Sequence, residues 1–225
     1  MANKKVEMKP EPRYAKPIAV TPNHKEYHKL LKDDEKKIVL VDGVAGTGKS
    51  ITAVYYACQM MLKDKVRGIY FIRPNEGLGN SVGFLPGDLW EKLSPKLKQL
   101  IVYAEAFTGM DKSFLVSSGK IVIQSLHDLQ GMDLTGYVLV VDEAQNISPE
   151  AMYCICTRGA EKTVINGDSN PAQIVTKNKH NDGISFLIDT ISDLPEIGVV
   201  KMDIDDIVRK DFIKNIIIRM MPKLK

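Results

Sequence analysis

The chain has 225 residues (25.1 kDa), 44% of them apolar and 26% charged. That composition excludes wholesale disorder, collagen-like repeats and a coiled-coil rod, and the length suits one generous domain. The net charge of +3 is unevenly spread: residues 1–37 carry +4, residues 38–208 carry −6 and residues 209–225 carry +5. Basic ends flanking an acidic middle point either to solvated tails or to contact with nucleic-acid phosphate.

No run approaches the ~20 apolar residues of a membrane span. The first residues mix Pro and Lys without an apolar stretch, so no secretory signal is expected. Three cysteines are too few for a disulfide framework. These features predict a cytoplasmic protein with reduced thiols.

Residues 1–20 read as an extended basic, Pro-rich arm, residues 21–220 as a single domain and residues 221–225 as a basic tail. Within the domain a short helix is expected over 22–32, with Tyr27, Leu30 and Leu31 inward. IVLVD (38–42) is a continuous apolar run, the mark of a strand covered on both faces. A glycine-rich turn and a largely buried helix (49–63) follow, then a second strand (68–73). Residues 74–87 form a loop. Residues 88–106 read as a helix that Pro95 breaks near Ser94. Residues 114–123 suggest a hairpin with Ser-Ser-Gly at its tip. A third buried strand (137–142) precedes a helix capped by Ser148 with Pro149 at its first position. A fourth strand (163–167), a helix (183–193), a fifth strand (197–202) and a final helix (206–220) packed on the core complete the chain. Apolar strands alternating with helices predict an α/β fold, a parallel sheet covered on both faces. Ligands of such sheets sit at the carboxyl ends of the strands.

The chemical motifs fall at those ends. Gly43-Val44-Ala45-Gly46-Thr47-Gly48-Lys49-Ser50 matches the phosphate-binding loop G-x-x-x-x-G-K-[ST], with a strand before it and a helix after. Its glycines let backbone N–H groups converge on phosphates, and the positive end of the next helix, through Ile51, faces them. Lys49 reaches the β/γ-phosphates and the Ser50 hydroxyl can ligate Mg²⁺. The strand 137–141 ends in Asp142 and Glu143. Buried acids need a cation or a hydrogen bond, so Asp142 is expected in the Mg²⁺ shell and Glu143 beside the attacking water. Strand 163–167 should lie next to it, with Asn166 or Asp168 sensing the γ-phosphate. His28, His127 and His180 read as surface or loop histidines, and no His/Cys cluster has zinc spacing.

The string Val141-Asp142-Glu143-Ala144-Gln145-Asn146, followed by Asn166-Gly167-Asp168, resembles the PhoH-like family of ATPases, single RecA-like P-loop cores related to superfamily 1 helicases. Phe71-Ile72-Arg73-Pro74, Val82-Gly83-Phe84-Leu85-Pro86-Gly87-Asp88-Leu89, Thr157-Arg158-Gly159 and Asp206-Ile207-Val208-Arg209 fall in the family's order. Thr21-Pro22-Asn23-His24 is similar to an adenine-reading Thr-Pro-Asn-Gln, with His24 in the place of Gln. Leu129-Gln130-Gly131-Met132 stands where the family has Arg-Gly-Arg, and Gln173 follows extra residues. The resemblance implies an Mg²⁺-dependent NTPase, using ATP, with Lys49, Glu143, Gln145 and Asp168 in catalysis and Arg158 or Arg209 as the arginine finger. It also implies a homo-oligomer of the hexameric-ring kind, acting on single-stranded RNA or DNA. A nucleotide-gated binding module with slow turnover is the alternative. A small-molecule phosphotransferase fits less well, because it has no need of Glu143.

Overall fold

The apolar runs become the strands of one sheet: β1 (Ile38–Gly43), β2 (Gly68–Ile72), β3 (Ile121–Gln124), β4 (Tyr137–Val141), β5 (Lys162–Gly167) and β6 (Ile197–Met202). Their order is β3-β2-β4-β5-β1-β6, and every pairing is parallel. The structure, a computed structural model, describes residues 20–72, 95–124, 126–169 and 182–220. The basic arm up to residue 19, the loop 74–87, the Val82–Leu89 run, Gln173, His180 and the tail 221–225 lie outside the described residues.

The helices are α1 (Pro22–Lys32), α2 (Lys49–Leu62), α3 (Pro95–Thr108), α4 (Lys112–Ser117), α5 (Pro149–Cys156), α6 (Gly183–Ile191) and α7 (Asp211–Met220). Successive strand side chains point to opposite faces. Val39, Val41, Phe71, Val138 and Val140 therefore pack against α1, α2 and α3. Leu40, Tyr70, Leu139, Val141 and Ile165 pack against α5 and α6. Both faces being buried explains why these strands read as continuous rather than alternating apolar runs. The result is the α/β P-loop fold of RecA type, with β5 beside β4 as expected.

Two expectations need correction. Residues 114–123 are not a hairpin: Asp111 accepts from the Ser113 amide at 2.8 Å and starts α4, and β3 then joins β2 in parallel. A parallel strand cannot pair with its immediate predecessor through a tight turn. Helix α3 is described from Pro95 to Thr108, and residues 88–94 of the expected helix lie outside the described residues. The final helix does not begin at 206 or pack on the core. Residues Ile204–Asp206 form a 3₁₀ turn capped by Asp203, and α7 starts at Asp211 with no residue buried. No described helix is long and apolar enough to cross a membrane.

Candidate active site

Three strand ends reach the same edge of the sheet: Asp42-Gly43 after β1, Asp142 after β4 and Asp168 after β5. Asp142 and Asp168 border a cavity of about 470 Å³, also lined by the loop 45–51, by Lys96 and Tyr103 of α3, and by Val208 and Arg209. Gly46 and Gly48 have φ of 92° and 81°, a conformation that glycine adopts without steric cost. Gly43 is required for a different reason. A Cβ there would lie 2.5 Å from the Met202 carbonyl oxygen of β6.

Lys49 opens α2. Its ammonium donates to the carbonyls of Gly43 and Val44, the latter at 3.0 Å. Burial pushes its pKa down from the ordinary lysine value, opposed by Asp168, Asp142, Asp42 and Glu143. The loop thus sets one cation amid four acids, a balance that added phosphate charge would shift toward the protonated lysine.

Ser50 Oγ donates to Asp142 Oδ1 at 2.9 Å. A hydroxyl and a carboxylate, with Asp168 nearby in the same cavity, are hard oxygen donors of the kind Mg²⁺ prefers. Among the described residues no three His, Cys, Asp or Glu side chains form a metal-holding cluster. Mg²⁺ is usually held by one or two protein oxygens together with substrate phosphates.

Glu143 sits at φ 60°. A non-glycine residue in that region costs about 1–3 kcal/mol and persists only where its surroundings hold it. Here the side chain is held from two sides. Glu143 Oε1 accepts from Lys96 Nζ at 2.7 Å and Oε2 from Gln145 Nε2 at 2.9 Å. Gln145 is buried, and its Oε1 accepts from the Asp168 amide at 3.1 Å. It therefore ties the two strand ends together. Asn166 is fully buried; its Oδ1 accepts from Tyr27 Oη at 3.2 Å, and its Nδ2 has no partner among the described residues.

Two residues expected at the ligand lie elsewhere. His24 is under the phosphate loop, not in the cavity wall. Its Nε2 donates to the Thr47 carbonyl at 2.8 Å, since a carbonyl can only accept. Its Nδ1 accepts from the Thr21 amide at 3.3 Å, completing a capping box for α1. Both ring nitrogens are engaged within the protein. Arg158 is also outside the cavity of its own chain, donating to Cys154 O, Leu129 O and Thr157 Oγ1.

Arg209 is brought in. Its Nε stands 2.8 Å from where a Gly46 Cβ would be, and the Val208 amide donates to Gly46 O at 3.1 Å. Neither neighbouring acid pairs with it. Asp205 lies 3.6 Å from Lys214 Nζ. Asp206, buried, accepts from Thr21 Oγ1, from Asn23 Nδ2 at 2.8 Å and from the Asp203 amide at 2.8 Å. Thr21-Pro22-Asn23-His24 thus binds both the phosphate loop and the segment carrying Arg209.

Sequence reasoning missed Asp42, whose carboxylate accepts from the Ser169 amide and hydroxyl at 2.8 and 2.7 Å. Its signal was available, an acid closing an apolar strand. Lys96 and Tyr103 carried no local signal, because α3 meets the cleft only through tertiary packing.

The PhoH family model, described as PhoH-like protein, matches residues 18–221. A PhoH-like protein of Mycobacterium leprae is 33% identical over 202 residues, covering 88% of this chain and 56% of the relative. One from Bacillus subtilis is 32% identical over 200 residues, covering 88% and 61%. Protein PhoH of Escherichia coli is 26% identical over 194 residues, covering 83% and 54%. The chain therefore spans little more than half the length of these relatives. The matched region runs from the Thr21 cap through both acids to the Arg209 segment, and on that basis the chain belongs to the PhoH family of P-loop proteins.

Proposed function

We propose that the cleft binds ATP and hydrolyses it by in-line attack of water on the γ-phosphate. The observation that carries this reading is the convergence of Lys49, the Ser50–Asp142 pair and Glu143 on one cavity. The loop amides and Lys49 bind the phosphates. Ser50 and Asp142 would hold Mg²⁺, which would neutralise phosphate charge when bound. Glu143 orients the water and takes its proton, and Gln145 keeps that carboxylate aimed. Arg209, at the rim of its own chain's cleft, supports charge stabilisation in cis, for which its planar guanidinium is suited. With His24 engaged by Thr47, base selection does not fall to that side chain, so GTP should compete with ATP.

A phosphate-release assay tests the reading. Lys49→Ala should abolish turnover and weaken nucleotide binding; normal hydrolysis by that variant would sink the assignment. The basic ends and the family likeness support coupling of turnover to single-stranded nucleic acid, and the RecA-type core supports a homo-oligomer. A second reading is favoured by the Lys96–Glu143 ion pair. If Lys96 restrains the base, the protein is a nucleotide-gated module with slow turnover, and Lys96→Ala should raise the basal rate several-fold.

A further inference from the structure

A second cavity of about 980 Å³, sharing no lining residue with the cleft, runs between α1 and α2. Five lysines line it, 25, 29, 32, 63 and 65, against two aspartates, 33 and 34. Lys65 pairs with Asp34 at 3.2 Å and Lys29 with Glu26 at 3.5 Å. Lys25, Lys32 and Lys63 make no ion pair with another described residue. Lys25, Lys29 and Lys32 share one face of α1 and span about 10 Å along its axis, more than a single phosphate occupies. His28, Tyr55 and Tyr56 line the same cavity. His28 and Tyr56 are in tilted contact at 5.4 Å, joined by a 2.9 Å Nδ1···Oη hydrogen bond, and Tyr55 meets Tyr56 edge to face at 5.2 Å.

We propose that this groove is a binding track for single-stranded nucleic acid, its lysines taking phosphates and Tyr56 and its neighbouring rings taking bases. Cations together with aromatic faces are what a single strand needs, since every base offers a face for stacking. An acidic peptide would use the lysines and leave the rings without a role. The chain's own arm is itself basic, so its charge opposes occupancy. One turn before His28 and Leu31 of the groove, α1 carries His24 and Tyr27, which hold the Thr47 carbonyl and Asn166. A strand bound here would press on the helix that supports the phosphate loop. The inference rests on the nucleic-acid part of the function proposed above and names its surface.

The test is fluorescence anisotropy of labelled oligo(dT) and oligo(rU) with the full chain across a salt series. Lys25→Glu/Lys32→Glu/Lys63→Glu should weaken binding about tenfold or more at low salt. Three lost contacts should flatten the slope of log K against log salt by about 2, at ~0.7 per phosphate for single strands. Tyr56→Ala should weaken binding several-fold without changing the slope, and Tyr56→Phe, which keeps the ring, should not. That pair decides the matter even if the charge-reversed variant fails to fold. Wild-type affinity in Tyr56→Ala and in the charge-reversed protein would overturn the groove alone. No oligonucleotide binding by the wild type would overturn the nucleic-acid reading with it, while phosphate release still judged the cleft. Equal competition by polyglutamate of matched charge would mark an acidic-peptide surface, and a fall in assembly mass with unchanged oligonucleotide affinity would mark a contact between copies. Either result refutes the proposal.

Discussion

Glu143 combines a left-handed backbone, an ion pair to Lys96 and a hydrogen bond from Gln145. Glu143→Gln keeps the shape and removes the base. It should bind nucleotide as the parent does while phosphate release falls at least about a hundredfold, the usual scale of a general base. Lost affinity in a binding titration would instead make Glu143 a ligand-holding or folding residue. Asp206 supports the site from beneath. Burial pushes its carboxyl up, but the hydrogen bonds from Asn23, Thr21 and the Asp203 amide outweigh it and leave the pKa below the ordinary value. A carboxylate whose folded pKa is depressed contributes stability above its unfolded pKa, about 3.9, and loses it as pH falls through the lower folded value. Thermal melts of Asp206→Asn and the parent should therefore differ most at about pH 6 and converge only once pH has fallen past the depressed folded value.

At the scale of elements, α1 ends on a buried cation from another strand. Lys162 of β5, 3% exposed, donates to the carbonyls of Leu31 and Asp33 at 2.9 and 2.7 Å. Burial pushes its pKa down, opposed by Asp34 and Asp33. The last carbonyls of a helix lack partners within it, and a cation there also meets the negative end of the helix dipole. Lys162→Met fills similar space and leaves those carbonyls without their donor. It should cost about 1–3 kcal/mol in urea unfolding, and an unchanged midpoint would show that solvent replaces the cap. α7 behaves differently. Its apolar residues Phe212, Ile216 and Met220 are 61%, 49% and 54% exposed. Sequence periodicity announces an amphipathic helix there without telling what the apolar side meets.

At the scale of the whole molecule, an arginine that stabilises phosphoryl charge can come from the same chain or from a neighbouring one. Arg209 lies against Gly46 of its own chain, while Arg158 is tied to carbonyls outside the cavity. Arg209→Ala should lower turnover about tenfold or more with little change in nucleotide affinity. Mixing it with Glu143→Gln protein should restore nothing, because no mixed interface can supply an arginine that acts in cis. Recovery of phosphate release in well-mixed assemblies would move the arginine across a subunit boundary.

What the sequence by itself determined was local and repetitive. Continuous apolar runs marked strands covered on both faces, and β1, β2, β4, β5 and β6 formed where those runs lie. The phosphate loop and the acids after β4 were legible because one stretch of chain carries the whole geometric requirement: glycines where φ must be positive, a lysine at the helix start, acids at a strand end. Residues 114–123 misled because a short apolar segment fits either period, and only the Asp111 cap and the place beside β2 selected helix then parallel strand. His24 misled in another way. Its motif is local, but its partners are the Thr47 carbonyl and, through Thr21, a carboxylate 185 residues away in sequence. Lys96 likewise reached Glu143 only once α3 was laid over the cleft. Such pairings depend on how helices pack across the sheet, and no pattern within a single segment encodes them.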